Sequence, residues 1–235
     1  MQSKFFKIIL AIVVVALVGY VGLDFFLGSI VKGGVNRFGP SITQTRVELA
    51  GAQISPVSGS GTLTGLFVGN PAGWNSDKAF YFAKIQLAVD PSSILGDHVV
   101  VKEISIDGPE FVYETKVVSS NIGDLLKNID GGSSNSSSKQ ATASNGKPMK
   151  FEVKHFVVQN GRVTVGVGAK AVTLPMPRIE LTDLGTKEGG ITSDQLALAI
   201  MRNLSASVVS ATTGAAAQIG STMGAAASSA VKGWH

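Results

Sequence analysis

Residues able to do chemistry are few in this 235-residue chain, and they stand far apart. Its three histidines are His98, His155 and His235. A metal site needs imidazoles, thiolates or carboxylates at spacings that bring them together, such as H-E-x-x-H on a helix face or paired cysteines. The sequence has neither pattern, and it has no cysteine, so this chain offers no thiol catalysis, disulfide or lipoprotein cysteine. His98 opens an alternating apolar run and His155 lies inside another with Phe151 and Val153, so both read as strand histidines. Gly59-Ser60-Gly61 does not meet the G-x-S-x-G pattern of a nucleophile elbow. GSGTLTG (59–65) misses G-x-G-x-x-G by one residue and leads into a strand-like run, so it reads as a turn with a bulge. Asp90, Asp97, Glu103 and Asp107 each sit where a turn or a wet strand face explains them. The expectation is a non-enzyme with no catalytic, cofactor-binding or metal-binding residue to name.

Composition narrows the class. Charged residues make up 15% of the chain, against about 25% in an average soluble domain, and mean hydropathy is +0.28. Both point to a membrane segment or an unusually apolar surface. The formal net charge of +4 comes from scattered lysines and arginines. It forms no dense basic stripe, so no nucleic-acid partner is expected.

The apolar residues concentrate at the start, in MQSKFFKIILAIVVVALVGYVGLDFFLGSIV. From Phe5 to Leu23 the only charge is Lys7. About 20 such residues at ~1.5 Å each span a bilayer core. Lys4 and Lys7 precede the span, which predicts a cytoplasmic N-terminus. A cleaved signal peptide has a shorter apolar core and a small-x-small cleavage site. Gly19-Tyr20-Val21 and Gly22-Leu23-Asp24 fit that poorly, so an uncleaved anchor is the reading. FFLGSIVKGGVNRFG stays compatible with a helix, with Gly39-Pro40 as its expected stop. Residues 1–40 are thus a transmembrane anchor and a membrane-proximal helix.

From Thr43 the apolar period changes to two, the mark of strands with one buried face. In YFAKIQLAVD (81–90), Ala83, Ile85, Leu87 and Val89 share one face, while Lys84, Gln86 and Asp90 share the other. Further runs are RVELAGAQIS (46–55), GTLTGLFVG (61–69), HVVVKEISID (98–107), EFVYET (110–115), KFEVKHFVVQ (150–159), RVTVGVG (162–168), KAVTLPM (170–176) and RIELTDL (178–184). Asn160-Gly161 reads as a two-residue hairpin turn, and Asp107-Gly108-Pro109 as a turn between antiparallel neighbours. SSNIGDLLKNID (119–130) has helical spacing, and residues 131–148, rich in Gly, Ser and Asn, read as a flexible loop.

A second helix is expected after Thr192, which forms a T-x-x-Q capping box with Gln195, flanked by Ile191 and Leu196. Leu196, Ile200, Leu204 and Val208 give it one apolar face. In the small-residue tail Gly220 and Gly224 are spaced as G-x-x-x-G, either a helix-contact device in a membrane or a weakly structured Ala/Gly tail. The organisation is therefore residues 1–40, a first part of a β-rich module (41–130), a loop (131–148), a second part with a closing helix (149–210) and a tail (211–235). The fold class is α+β and mainly antiparallel: a curved sheet or partly open barrel or groove closed by the C-terminal helix.

One stretch asks for a separate explanation. GLFVGNPAGW (65–74) runs from four apolar residues into Gly-Asn-Pro and ends on a tryptophan. Pro71 stops a ladder because it lacks an N–H, Asn70 can hydrogen-bond its own turn, and Gly73 permits the reversal. Trp74 is expected to fold back over the sheet's apolar edge. In this setting the chain resembles the AsmA-like family of bacterial envelope proteins. The residues that carry the resemblance begin with Gly61, Leu63, Gly65, Leu66, Val68, Asn70, Pro71, Gly73 and Trp74. They continue with Asp90, Pro91, Ser93, Ile94, Leu95, Asp107, Gly108, Pro109, Tyr113 and Glu114, and LTDLGTKEGGITSDQLALAIMRNL (181–204) is similar to the family's closing segment.

The resemblance implies an inner-membrane protein with a periplasmic body. Its larger relatives form long β-grooves thought to carry lipid toward the outer membrane. Nine strands at about 4.8 Å reach only roughly 40 Å, too short to bridge a periplasm alone. Two functions follow. In the one favoured by the resemblance, an apolar groove binds lipid or acyl chains and serves envelope homeostasis. In the other, the same face is an ordinary core, and the module recruits a larger envelope partner or self-assembles at the membrane. A desiccation-type β-sandwich also carries Asn-Pro turns after strands, but an anchor and a closing helix argue against it.

Overall fold

The computed structural model describes residues 26–93, 96–135 and 146–232. The expected membrane span lies outside the described residues, as does most of the expected loop. Among the described residues the fold is α+β: three helices and a nine-stranded, mixed but mostly antiparallel open sheet. The helices are α1 (26–43), α2 (Asn121–Asn135) and α3 (Ser193–Lys232). The strands are β1 (Val47–Ile54), β2 (Ser60–Gly69), β3 (Lys78–Val89), β4 (His98–Asp107) and β5 (Glu110–Tyr113). After α2 follow β6 (Lys150–Gln159), β7 (Arg162–Val165), β8 (Val172–Pro175) and β9 (Ile179–Leu184).

Two expected turns are not turns. Ile106 of β4 faces Ile85 of β3, and Phe111 of β5 faces Phe80. Both members move five residues, so β4 and β5 are one strand interrupted at Gly108-Pro109. The same holds for β6 and β7 across Asn160-Gly161: Asp107 faces Gln159 and Glu110 faces Arg162 in one parallel register. Likewise β8 and β9 continue each other across Met176–Arg178, since Val158 faces Ile179 and Val163 faces Leu174. The residue types that build hairpins also permit a break inside a long strand, because both need a residue tolerant of positive φ. Nine strands therefore occupy six positions, and the sheet is about 24 Å across, narrower than nine side-by-side strands imply. The one parallel contact between long strands, β4–β5 with β6–β7, needs a crossover, and residues 114–149 with α2 supply it.

The breaks line up as a crease. Val47, Val68, Phe80, Phe111, Val163 and Leu174 form one continuous row across all six strands. Ala52, Leu63, Ile85, Ile106, Val158 and Ile179 form another, five residues away in every strand. Strict alternation would put rows five residues apart on opposite faces. Yet most members of both rows belong to one buried cluster. Between the rows lie Gly65 (φ 63°), Gly108 (φ 62°) and Asn160 (φ 55°), which reverse the alternation and return the apolar side chains to one side. The crease also leaves Ala83 exposed rather than on the buried face with Ile85 and Val89.

The chain's own helices cover that apolar side. From α2 come the fully buried Ile122, Leu125 and Ile129, and from α3 come Met201, Leu204, Val208 and Ala211. α3 packs on α2 and across β6 to β9. Phe80, Phe82 and Phe111 meet at ring separations of 5.4 to 5.9 Å, tilted and edge-on contacts that add to their burial. The capping box forms as expected: the Thr192 N–H donates to Gln195 Oε1 (3.0 Å) and the Gln195 N–H to Thr192 Oγ1 (3.4 Å). α3 over Ser193–Gly214, with a mean hydropathy of 1.2, is long and apolar enough to cross a membrane, and 22% of that stretch is buried within the fold, Met201, Leu204, Val208 and Ala211 facing α2 and the sheet. α1 is not a span.

Gly39-Pro40 does not stop α1, which runs to residue 43. The glycine serves packing instead, since a Cβ there would stand 2.6 Å from Val47 Cγ1. α1 lies along the edge strand β1. Asn36 imitates a strand partner: its Oδ1 accepts from the Leu49 N–H (2.6 Å) and its Nδ2 donates to the Leu49 carbonyl (3.4 Å). An edge so capped cannot pair with another chain there. The opposite edge, β8–β9, carries Pro175, Pro177 and a left-handed Asp183 (φ 56°), which blunt it by other means.

Candidate functional site

The Asn70–Trp74 segment is where the sequence and the fold meet most densely. β2 ends at Gly69, and the loop to β3 folds against the end of β5 and the start of α2. Asn70 Nδ2 donates to the Ser76 carbonyl (2.8 Å), Ser76 Oγ (2.6 Å) and the Lys78 carbonyl (3.2 Å), closing its own turn as expected. Asn121, the first residue of α2, is fully buried. Its Nδ2 donates to Asn70 Oδ1 (2.8 Å) and the Val112 carbonyl (2.7 Å), and its Oδ1 accepts from the Glu114 N–H (2.9 Å).

Glu114, only 4% exposed, is the knot's carboxylate. Its Oε2 accepts from the Asn75 N–H (3.1 Å) and Asn75 Nδ2 (3.2 Å). Its Oε1 accepts from the Ser76 N–H (2.8 Å) and the Ser76 hydroxyl. Burial opposes its charge, but the Ser76 and Asn75 donors outweigh burial and hold the carboxyl below the ordinary glutamate range. A carboxylate fully occupied by four fixed donors, with its pKa lowered, is neither a general acid nor a free base. The group is an anchor.

Trp74 does not fold over the sheet edge. Its indole Nε1 donates to Asp124 Oδ2 in α2 (3.3 Å), and Lys116 Nζ lies 4.4 Å over the ring while donating to the Gly73 carbonyl (2.9 Å). The half-buried tryptophan thus pins the loop to α2, which supplies the acceptor for its indole N–H. The knot in turn holds a tight turn beyond β5. There the Lys116 N–H donates to the Ser119 carbonyl (2.8 Å), Thr115 bridges Ser120, and Val117 and Val118 stand fully exposed at the tip.

The other sequence candidates do not converge. His155 pairs with Glu180 across β6 and β9 (2.8 Å), as a strand histidine would. His98 Nε2 lies 3.4 Å from Glu152 Oε2 without forming a hydrogen bond, and Thr186 Oγ1 donates to Glu152 Oε1 (3.2 Å). Asp90 accepts from Ser92 N and Oγ, and Asp107 from Asn160 Nδ2 (2.6 Å). Gly59 (φ 71°) makes the expected turn into β2. Among the described residues no three His, Asp or Glu side chains gather as a metal set.

One open cleft of about 600 Å³ lies between α1 and β1–β2, lined by Lys32, Asn36, Arg46, Glu48, Ala50 and Phe67 among others. Arg46 is bidentate to Glu48 (2.7 and 2.8 Å) and stands 5.1 Å over the Phe67 ring. Sequence reasoning missed Asn36, Ser76 and Asn121, since a polar residue at a loop or helix start is ordinary until its partners are known. It had singled out Asn70 and Glu114 within the family-like pattern. No protein-family profile matches the chain, and no curated protein shows a significant match to it.

Proposed function

We propose that this chain is a non-catalytic envelope module of the AsmA-like type, tethered to the bacterial inner membrane with its body in the periplasm. It works through its surfaces, by contact with a bilayer and with a protein partner or a second copy, rather than by enclosing an acyl chain. The observation that carries this reading is the apolar face of the creased sheet. Among the described residues twenty-three buried ones form one cluster there, and α2 and α3 supply seven of them. A groove built to hold lipid would leave part of that face to the ligand.

A second reading keeps lipid binding but moves it outside the core. The cleft beside α1 is lined by Phe67 and Ala50 together with Lys32, and by an Arg46 already held by Glu48, a mixed apolar and charged surface against which an amphiphile's headgroup region would rest. The two readings separate in a lipid-extraction assay. The full chain is mixed with vesicles carrying a self-quenched fluorescent phospholipid. The first reading expects the chain to float with the vesicles and leave the fluorescence unchanged. Dequenching in proportion to protein would overturn it in favour of lipid uptake.

A further inference from the structure

The eight large apolar side chains exposed among the described residues are not spread evenly. Val117, Val118, Val167 and Val172 sit at the end of the sheet where β5 and β7 finish and β8 begins, and Val209 is on α3. Phe26 (63% exposed), Ile30 (53%) and Val57 (70%) belong to the start of α1 and the β1–β2 turn. That is also the end at which α1 begins.

α1 fixes the geometry of this end. Gly28 lies against the Ala52 carbonyl so closely that a Cβ would stand 2.1 Å from the oxygen, and Gly39 lies against Val47. From residue 28 to 39 a helix rises about 16 Å, and from residue 52 to 47 a strand runs about 16 Å. The two elements therefore run side by side in opposite senses, and position along one can be read from the other. Asn36 ties them midway, and Asn128 of α2 donates to the Thr43 carbonyl (3.1 Å) at the far end. α1 is thus a fixed strut along the sheet, not a loose leash.

On that common axis Phe26 stands about 3 Å beyond Gly28. Ile54 stands about 7 Å beyond Ala52, and the turn closed by Ser55 and Ser60 carries Val57 further out still. Val57 therefore projects past Phe26, the first described residue of α1. In the sequence, the apolar stretch ending at Leu23 is separated from Phe26 only by Asp24 and Phe25.

We propose that the Val57 turn is a second membrane contact: it inserts into the same bilayer that holds residues 5–23 and, with Phe26, seats the body upright with the Val117–Val118 tip facing away. This rests on the membrane tether in the proposed function. The occupant is a lipid surface because the adjoining chain is apolar over a membrane-spanning length. The patch is also confined to one turn and one helix end, whereas a stable protein interface takes roughly 20–30 residues a side.

The absence of cysteine makes the test direct. Val57→Cys and Val117→Cys are introduced separately into the full chain and labelled with a polarity-sensitive fluorophore. The proteins are reconstituted in phosphatidylethanolamine/phosphatidylglycerol vesicles, and collisional quenching is compared between a lipid-borne and an aqueous quencher. The proposal expects the label at 57 to be quenched several-fold more by the lipid-borne quencher, and the label at 117 by the aqueous one. Aqueous behaviour at both sites, in chains that float with the vesicles, overturns the seating and leaves the tether standing. A chain that does not float overturns both.

Discussion

Replacing Asn121 by alanine should be the most damaging single change outside the apolar core. The side chain is fully buried and makes three hydrogen bonds, at 2.7 to 2.9 Å. Alanine leaves the Val112 carbonyl, the Glu114 N–H and Asn70 Oδ1 without those partners. An orphaned buried polar group costs about 1–3 kcal/mol. Partial hydration of three neighbours, and the better helix propensity of alanine at the first turn of α2 (at most ~0.7 kcal/mol), reduce the sum. A loss of about 3–4 kcal/mol is expected, which in a domain of this size lowers Tm by roughly 10 °C. Because Ser120 still caps α2 through the Gly123 N–H (3.1 Å), the helix itself should persist.

The assay is urea and thermal unfolding followed by tryptophan fluorescence and far-ultraviolet dichroism. Val117→Ser, at the exposed tip, serves as a control expected to shift stability by no more than about 0.5 kcal/mol. An Asn70→Ala and Asn121→Ala cycle should show coupling of about 1 kcal/mol or more, since the two amides share a bond. A loss below about 1 kcal/mol for Asn121→Ala, or strict additivity with Asn70→Ala, would refute the idea that the knot is one cooperative unit.

Three further outcomes follow from the same structure. Glu114 has a lowered folded pKa, so its stabilisation should be fully present above the ordinary glutamate value of about 4.3 and fade as pH falls through the folded value. Glu114→Gln should flatten the stability–pH curve in that acidic window, read by urea midpoints at stepped pH. At the crease, Gly65→Ala meets both a positive φ and a contact of 2.8 Å with Ala50 Cβ, whereas Gly108→Ala meets only the positive φ. Gly65→Ala should cost about 2–3 kcal/mol and Gly108→Ala about 1 kcal/mol, while Asn160→Gly, which relieves the positive φ but gives up the exposed hydrogen bond to Asp107, should cost less than about 1 kcal/mol in the same unfolding measurement. Asn36→Ala uncaps the β1 edge and should both destabilise by about 1–2 kcal/mol and raise aggregation, seen by light scattering during refolding.

Much of the fold was legible because burial on one face writes itself into a period of two. HVVVKEISID and KFEVKHFVVQ match β4 and β6 residue for residue, and Thr192 and Gln195 announced the start of α3. What failed was the meaning of the interruptions. Asn160-Gly161 and Gly108-Pro109 mark left-handed backbone, and local sequence cannot say whether the chain then reverses or runs on. The answer lies in the register with neighbouring strands, which is non-local. α2 ran past its expected end to Asn135, into a segment whose composition suggested a loop, since a helix already packed at Ile129 can carry a few poor residues beyond it. The knot was half visible. Asn70 and Glu114 stood in the family-like pattern, but Asn121 and Ser76 are ordinary residues until the fold brings them to Glu114.

The central claim is that the apolar face of the sheet belongs to the protein's own helices and that lipid meets only the outside. Photo-crosslinking tests it most directly. The full chain is placed in vesicles containing a phospholipid with a diazirine in its acyl chain, irradiated, and the adducts are mapped by peptide mass spectrometry. Adducts around Phe26, Ile30 and Val57, with none on Phe80, Phe111, Phe156 or Val163, are the predicted result. Adducts on those core residues would show that lipid enters between sheet and helices, and the account would be wrong.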